Sequence, residues 1–123
     1  MRPIVTLLLV GWCVAALADD FTARLAESKA VEASAEGTAF ARILEPFYGA
    51  AIRECIPPGS TDATNLGSFA FVGTLSGAGK LSNVEVRPKT RVSQCFASQL
   101  GRSQLPKPPK SPYPVHVEMR ITP

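Results

Sequence analysis

The chain has 123 residues, 13 Lys+Arg against 10 Asp+Glu, a net charge of +3 and three cysteines. A chain this short builds one small core, and so mild a charge does not suggest a nucleic-acid partner, which calls for a strongly basic face. Its single histidine, His116, cannot complete a four-ligand metal set with cysteines that lie in no CxxC.

The first residues read as a secretory leader. Arg2 gives a positive start, residues 4–17 are apolar, and Ala16-Leu17-Ala18 forms a small-x-small cleavage site before Asp19-Asp20. A membrane span needs about 20 apolar residues, more than this run supplies. A lipoprotein signal at Cys13 would want a small residue where Trp12 stands. The expected product is a protein cleaved after Ala18 and exported to the periplasm or beyond, with no stable membrane insertion. Loss of Arg2 leaves 12 Lys+Arg against 10 Asp+Glu. All the acids except Glu85 and Glu118 lie at or before Asp62, so an acidic N-terminal segment precedes a basic body. Such a body favours an acidic partner.

Residues 19–38 are rich in Ala and Glu, which favour helix. Their apolar members are few (Phe21, Leu25 and Val31), so the segment reads as a loosely attached helix or a mobile arm. The main domain is expected over residues 39–123. Phe40, Ile43, Leu44, Phe47, Ala51 and Cys55 recur at helical spacing and form one buried stripe. Pro46 predicts a break near Glu45, with a helix from Pro46 to about Cys55. Residues 56–60 (Ile-Pro-Pro-Gly-Ser) then stop the helix.

A hairpin follows. Phe69, Phe71 and Leu75 alternate with Ala70, Val72 and Thr74, and two apolar faces suit a central strand. Ser76-Gly77-Ala78-Gly79 is the turn. In the return strand Leu81 is out of phase with Val84 and Val86, which predicts a β-bulge near Ser82-Asn83. Thr90 is the expected N-cap of a helix with Val92, Cys95, Phe96 and Leu100 on its core side. Gly101 falls near that helix's end. The prolines of residues 105–110 require an extended segment. In the last strand Val115, Val117, Met119 and Ile121 point one way, and His116, Glu118, Arg120 and Thr122 the other. The predicted fold is α+β, a three-stranded antiparallel sheet of order 2-1-3 with helices on one face.

Cys55 and Cys95 are the two thiols left after cleavage. In an oxidising compartment a lone pair in a small domain reads as a disulfide.

Residues 46–123 resemble the C-terminal domain of TolA and, more distantly, of TonB. The resemblance lies in Tyr48-Gly49-Ala50-Ala51-Ile52-Arg53 leading into a loop and in a hairpin with Gly79-Lys80-Leu81-Ser82-Asn83-Val84-Glu85-Val86. It continues in the helix bearing Cys95 and in Leu105-Pro106-Lys107-Pro108-Pro109 before the last strand. It implies a three-stranded sheet with flanking helices, a Cys55–Cys95 bridge and a protein-recognition role in the envelope. It departs from TolA in having a cleavable leader and a short arm instead of a membrane anchor and a long helical arm.

The expected function is therefore a non-catalytic periplasmic interaction module that binds an envelope protein by strand addition to a sheet edge. The alternative is a secreted inhibitor or immunity protein against an envelope-acting enzyme or toxin. The expected contact surface is Val115, His116, Val117, Glu118, Met119 and Arg120 of the last strand, with Lys107 and Lys110. His116 is expected on a solvated face, not as the base of a Ser-His-Asp arrangement. Gly77-Ala78-Gly79 reads as a turn, not as a phosphate cradle. No cofactor is expected.

Overall fold

In the computed structural model, residues 20–59 and 67–121 are described. The expected leader and its cleavage site lie outside them. The elements in order are α1 (Asp20–Glu32), α2 (Ala35–Arg53), β1 (Gly67–Leu75), β2 (Leu81–Arg87), α3 (Arg91–Gly101) and β3 (Tyr113–Ile121). The sheet is antiparallel with order β2-β1-β3, as the sequence predicts, and β1 is its central strand.

The core lies between one face of the sheet and the helices α2 and α3. Phe69, Phe71 and Leu75 meet Phe40 and Leu44 of α2 and Val92, Phe96 and Leu100 of α3. Phe96 sits at its centre, fully buried, with the rings of Phe69 and Phe71 edge-on at 5.4 and 5.6 Å. Thr90 caps α3 in a reciprocal box with Ser93, which satisfies two amides that would otherwise be orphaned at the helix start. The Cys55–Cys95 disulfide joins the end of α2 to α3 across a Cα separation of 5.8 Å. Closing a loop of 40 residues stabilises the fold by up to about 4 kcal/mol through loop-closure entropy.

The bulge is present in β2. Val72 pairs with Glu85 but Thr74 pairs with Ser82, so Asn83 and Val84 together face Gly73. Asn83 takes φ 51°, a region its short polar side chain tolerates. The extra residue brings Leu81 onto the core with Val84 and Val86. At the β1–β2 turn Gly79 has φ 80°, and a Cβ there would strike the Leu105 carbonyl. Leu105 instead donates its amide to the Gly79 carbonyl at 2.9 Å, which ties the proline-rich segment to the hairpin.

Three expectations are corrected. The first is the helix break at Glu45: α2 continues through Pro46. Pro46 removes one helix hydrogen bond, but it lies on an exposed face where water can take up the freed Arg42 carbonyl. The second concerns Ile43, which is 53% exposed. The buried stripe follows Phe40, Leu44 and Ala51, and Ile43 stands about 100° round the helix from Leu44.

The third concerns the acidic segment, and it changes the architecture. Residues 20–32 are a helix laid across the second face of the sheet, so the sheet is covered on both faces. Its anchors are mostly polar. Phe21 is buried with the Arg87 guanidinium 4.8 Å from its ring centre, and Arg24 donates to the Asn83 carbonyl at 2.6 Å. Ser28, Lys29 and Glu32 meet β3. Val72, 1% exposed, is the central apolar residue on this face of the sheet. The scarcity of large apolar residues in α1 is thus offset by hydrogen bonds and ion pairs to two strands.

Candidate functional site

Among the described residues β3 has a strand on one side only. Its pairing with β1 runs from Gly67↔Ile121 to Leu75↔Tyr113. The free side is framed by two helices. α1 reaches β3 on one face of the sheet and α2 lies towards the other, and a tight turn joins the helices. Ser34 caps α2 by accepting from the Gly37 amide, and Thr38 donates to the Glu32 carbonyl at 2.8 Å. Gly37 is buried against the last turn of α1, where a Cβ would strike the Val31 carbonyl. Between the two helices a groove of about 340 Å³ follows the edge of β3 from Tyr113 to Glu118.

The α1 wall of the groove is a hydrogen-bonded seam. Ser28 Oγ lies 2.7 Å from His116 Nδ1, and His116 Nε2 lies 3.1 Å from a Glu32 carboxylate oxygen. The Pro114 carbonyl is a second, longer neighbour of Ser28 Oγ at 3.2 Å. The His116 side chain is only 11% exposed, which overturns its expected place on a solvated face. Burial pushes its pKa below the ordinary value; Glu32 and Glu118 oppose that shift and Lys29 adds to it. The ring is therefore neutral at pH 7. A carboxylate can only accept, so Nε2 carries the proton towards Glu32 and Nδ1 accepts from the Ser28 hydroxyl.

This serine–histidine–carboxylate chain has the order of a hydrolase relay, but its setting differs. Ser28 lies within α1 and is 2% exposed. Its neighbouring amides belong to the helix ladder and do not converge on a position where an oxyanion could form. The geometry suits a seam that holds α1 on β3.

The α2 wall is more apolar, with Phe40, Leu44 and Tyr48 turned to the groove and Glu45 at its rim. Phe40 meets the Tyr113 ring edge-on at 5.1 Å. Burial, then Glu32 and then Tyr113, raise the Tyr48 pKa far above the ordinary phenol value. Tyr113 is raised by burial first and then by Glu32 and Glu36. Both therefore remain phenols with a proton to donate.

The expected contact residues separate on the structure. Val115, His116 and Glu118 line the groove. Val117 is buried in the core. Met119 and Arg120 stand at the other end of β3 beside Phe69 and Arg87. Lys110 borders a hollow at the Tyr113 end with Glu27 and Glu36, whereas Lys107 is exposed on the extended segment. Sequence reasoning missed Ser28, Glu32, Glu45 and Tyr48. Ser28 and Glu32 are four apart, one turn of a helix, which was the available signal. Among the described residues no group of three or more His, Cys, Asp or Glu side chains could hold a metal ion. No described helix is long and apolar enough to cross a membrane. Compared with known proteins, the chain matches no family model, no curated protein and no solved structure.

Proposed function

We propose that this protein is a non-catalytic interaction module of the bacterial envelope, which binds an extended segment of another envelope protein along the free edge of β3. The observation that carries the reading is the groove: an edge of β3 that no described strand pairs with lies at its base, with a helix on either side. A strand added there would gain main-chain hydrogen bonds along the edge and side-chain contacts to α1 and α2. The stretch from Tyr113 to Glu118 offers about six residues, roughly 20 Å of strand. The disulfide supports an oxidising compartment such as the periplasm. The resemblance of residues 46–123 to TolA and TonB C-terminal domains supports a recognition role and is part of this proposal.

The test is photo-crosslinking in envelope extracts from a probe placed at Ala41, which lines the groove, and from one at the exposed Gln94 on α3. A partner crosslinked at Ala41 and not at Gln94, and lost when Glu45→Lys alters the rim, supports the reading. Equal capture from both positions, or capture that is indifferent to the rim, refutes it.

A further inference from the structure

The charge of the groove is opposite to that of the basic body around it. Glu32, Glu45 and Glu118 line it, and no described lysine or arginine does. Glu27 and Glu36 stand at its Tyr113 end. Among the described cations, Lys29 is 2.8 Å from Glu118, Lys110 borders the same end as Glu27 and Glu36, and Arg87 and Arg120 share with Glu118 the hollow at the other end of β3. His116 is closed into the α1 seam and faces Glu32. The carboxylates thus dominate the groove itself, with the cations at its ends or paired to Glu118, and among the described residues Glu45 has no ion-pair partner. A second asymmetry runs across the groove. The α1 side presents Glu32 and Glu118, whereas the α2 side presents Phe40, Leu44 and Tyr48 below Glu45.

We infer that the segment bound along β3 is a basic, alternating strand, with Lys or Arg at positions facing α1 and apolar residues at positions facing α2. This rests on the edge-binding function proposed above and names the chemistry of its partner. The alternation follows from strand geometry. A strand lying about 4.8 Å from β3 points successive side chains to opposite faces of the extended sheet. Every second side chain then meets the carboxylates of the α1 wall, and the others meet the aromatic and aliphatic α2 wall. An acidic strand in the same place would set like charges against Glu32 and Glu118, which complementary interfaces avoid.

The test uses the disulfide-bonded protein and three labelled peptides of about ten residues, long enough to span the groove. They alternate Lys-Val, Glu-Val and Thr-Val, and binding is read by fluorescence anisotropy. Glu45→Lys alters the exposed groove rim, and Glu54→Lys makes the same charge change at the exposed end of α2, away from the groove. The Lys-Val peptide is expected to bind in preference to both others. Its affinity should fall about ten-fold with Glu45→Lys, stay unchanged with Glu54→Lys, and weaken in about 1 M salt, where screening acts within about 3 Å. Thr-Val or Glu-Val binding as tightly as Lys-Val, with competition for the same edge, overturns the charge inference and leaves the edge reading standing. Equal losses in the two lysine variants mean diffuse attraction and overturn the inference. No binding by any peptide overturns both readings.

Discussion

Between about pH 7.5 and pH 5.5 the pH dependence of stability should come chiefly from His116, the only histidine, because imidazole is the side chain whose ordinary pKa falls in this range. Unfolded, its ring takes a proton near pH 6.5; folded, its pKa is lower, chiefly through burial. Between those two values the unfolded state holds more protons. Stability is therefore complete above the unfolded pKa and is lost as pH falls through it towards the folded one. One proton limits the slope to about 1.4 kcal/mol per pH unit. Replacement by glutamine (His116→Gln) should flatten this part of the profile. Ser28→Ala, at constant pH, removes the hydroxyl that satisfies Nδ1 in a site from which water is largely excluded. An orphaned buried acceptor costs about 1–3 kcal/mol. In a domain near 100 residues each kcal/mol lowers Tm by about 4–8 °C, so the loss should be roughly 5–20 °C. Thermal melts followed by circular dichroism, on the wild type and both variants at several pH values, read both effects. An unchanged Tm in Ser28→Ala, or a wild-type slope that survives His116→Gln, would refute the seam as the attachment of α1.

Replacing Cys55 and Cys95 together by serine should lower stability by up to about 4 kcal/mol, read as a shift in denaturant midpoint. An unchanged midpoint would mean that the bridge does not constrain the unfolded chain. Gly37→Ala must part α1 from α2, since its Cβ would meet the Val31 carbonyl. An overpacking cost of about 1–3 kcal/mol is expected, together with faster amide exchange in α1; wild-type exchange would show that the helices have room. Phe96→Ala should cost about 3–5 kcal/mol, because the ring is fully buried against Phe69 and Phe71. A loss under 1 kcal/mol, in the same denaturation assay, would contradict that packing.

The sheet and the disulfide were legible because local signals agreed with tertiary ones. The alternation of Val115 and Val117 with His116 and Glu118 established β3, and the phase slip from Leu81 to Val84 marked the bulge before any contact was visible. Thr90 announced α3 through its capping chemistry. The role of α1 was not legible in the same way. Its attachment depends on Arg24, Ser28, Lys29 and Glu32 finding partners between 59 and 89 residues away along the chain, at Asn83, His116 and Glu118, and hydropathy does not report polar pairing at a distance. His116 was misplaced for the same reason: an alternating polar face reads as solvated unless something is known to cover it. The continuity of α2 through Pro46 was missed because the proline rule assumes that the lost hydrogen bond cannot be replaced, and on an exposed face it can. The groove at the edge of β3 required both helices and so could not be read from either segment alone.

On the reading proposed here β3 offers its free edge to an added strand. Hydrogen exchange of the β3 amides, measured with and without the Lys-Val peptide, tests it most directly. In β3 alternate amides point towards β1 and away from it. Peptide should slow exchange at the outward-facing amides between Tyr113 and Glu118 and leave those paired with β1 unchanged. Protection confined to other surfaces, with the outward amides of β3 exchanging as fast as before, would contradict it.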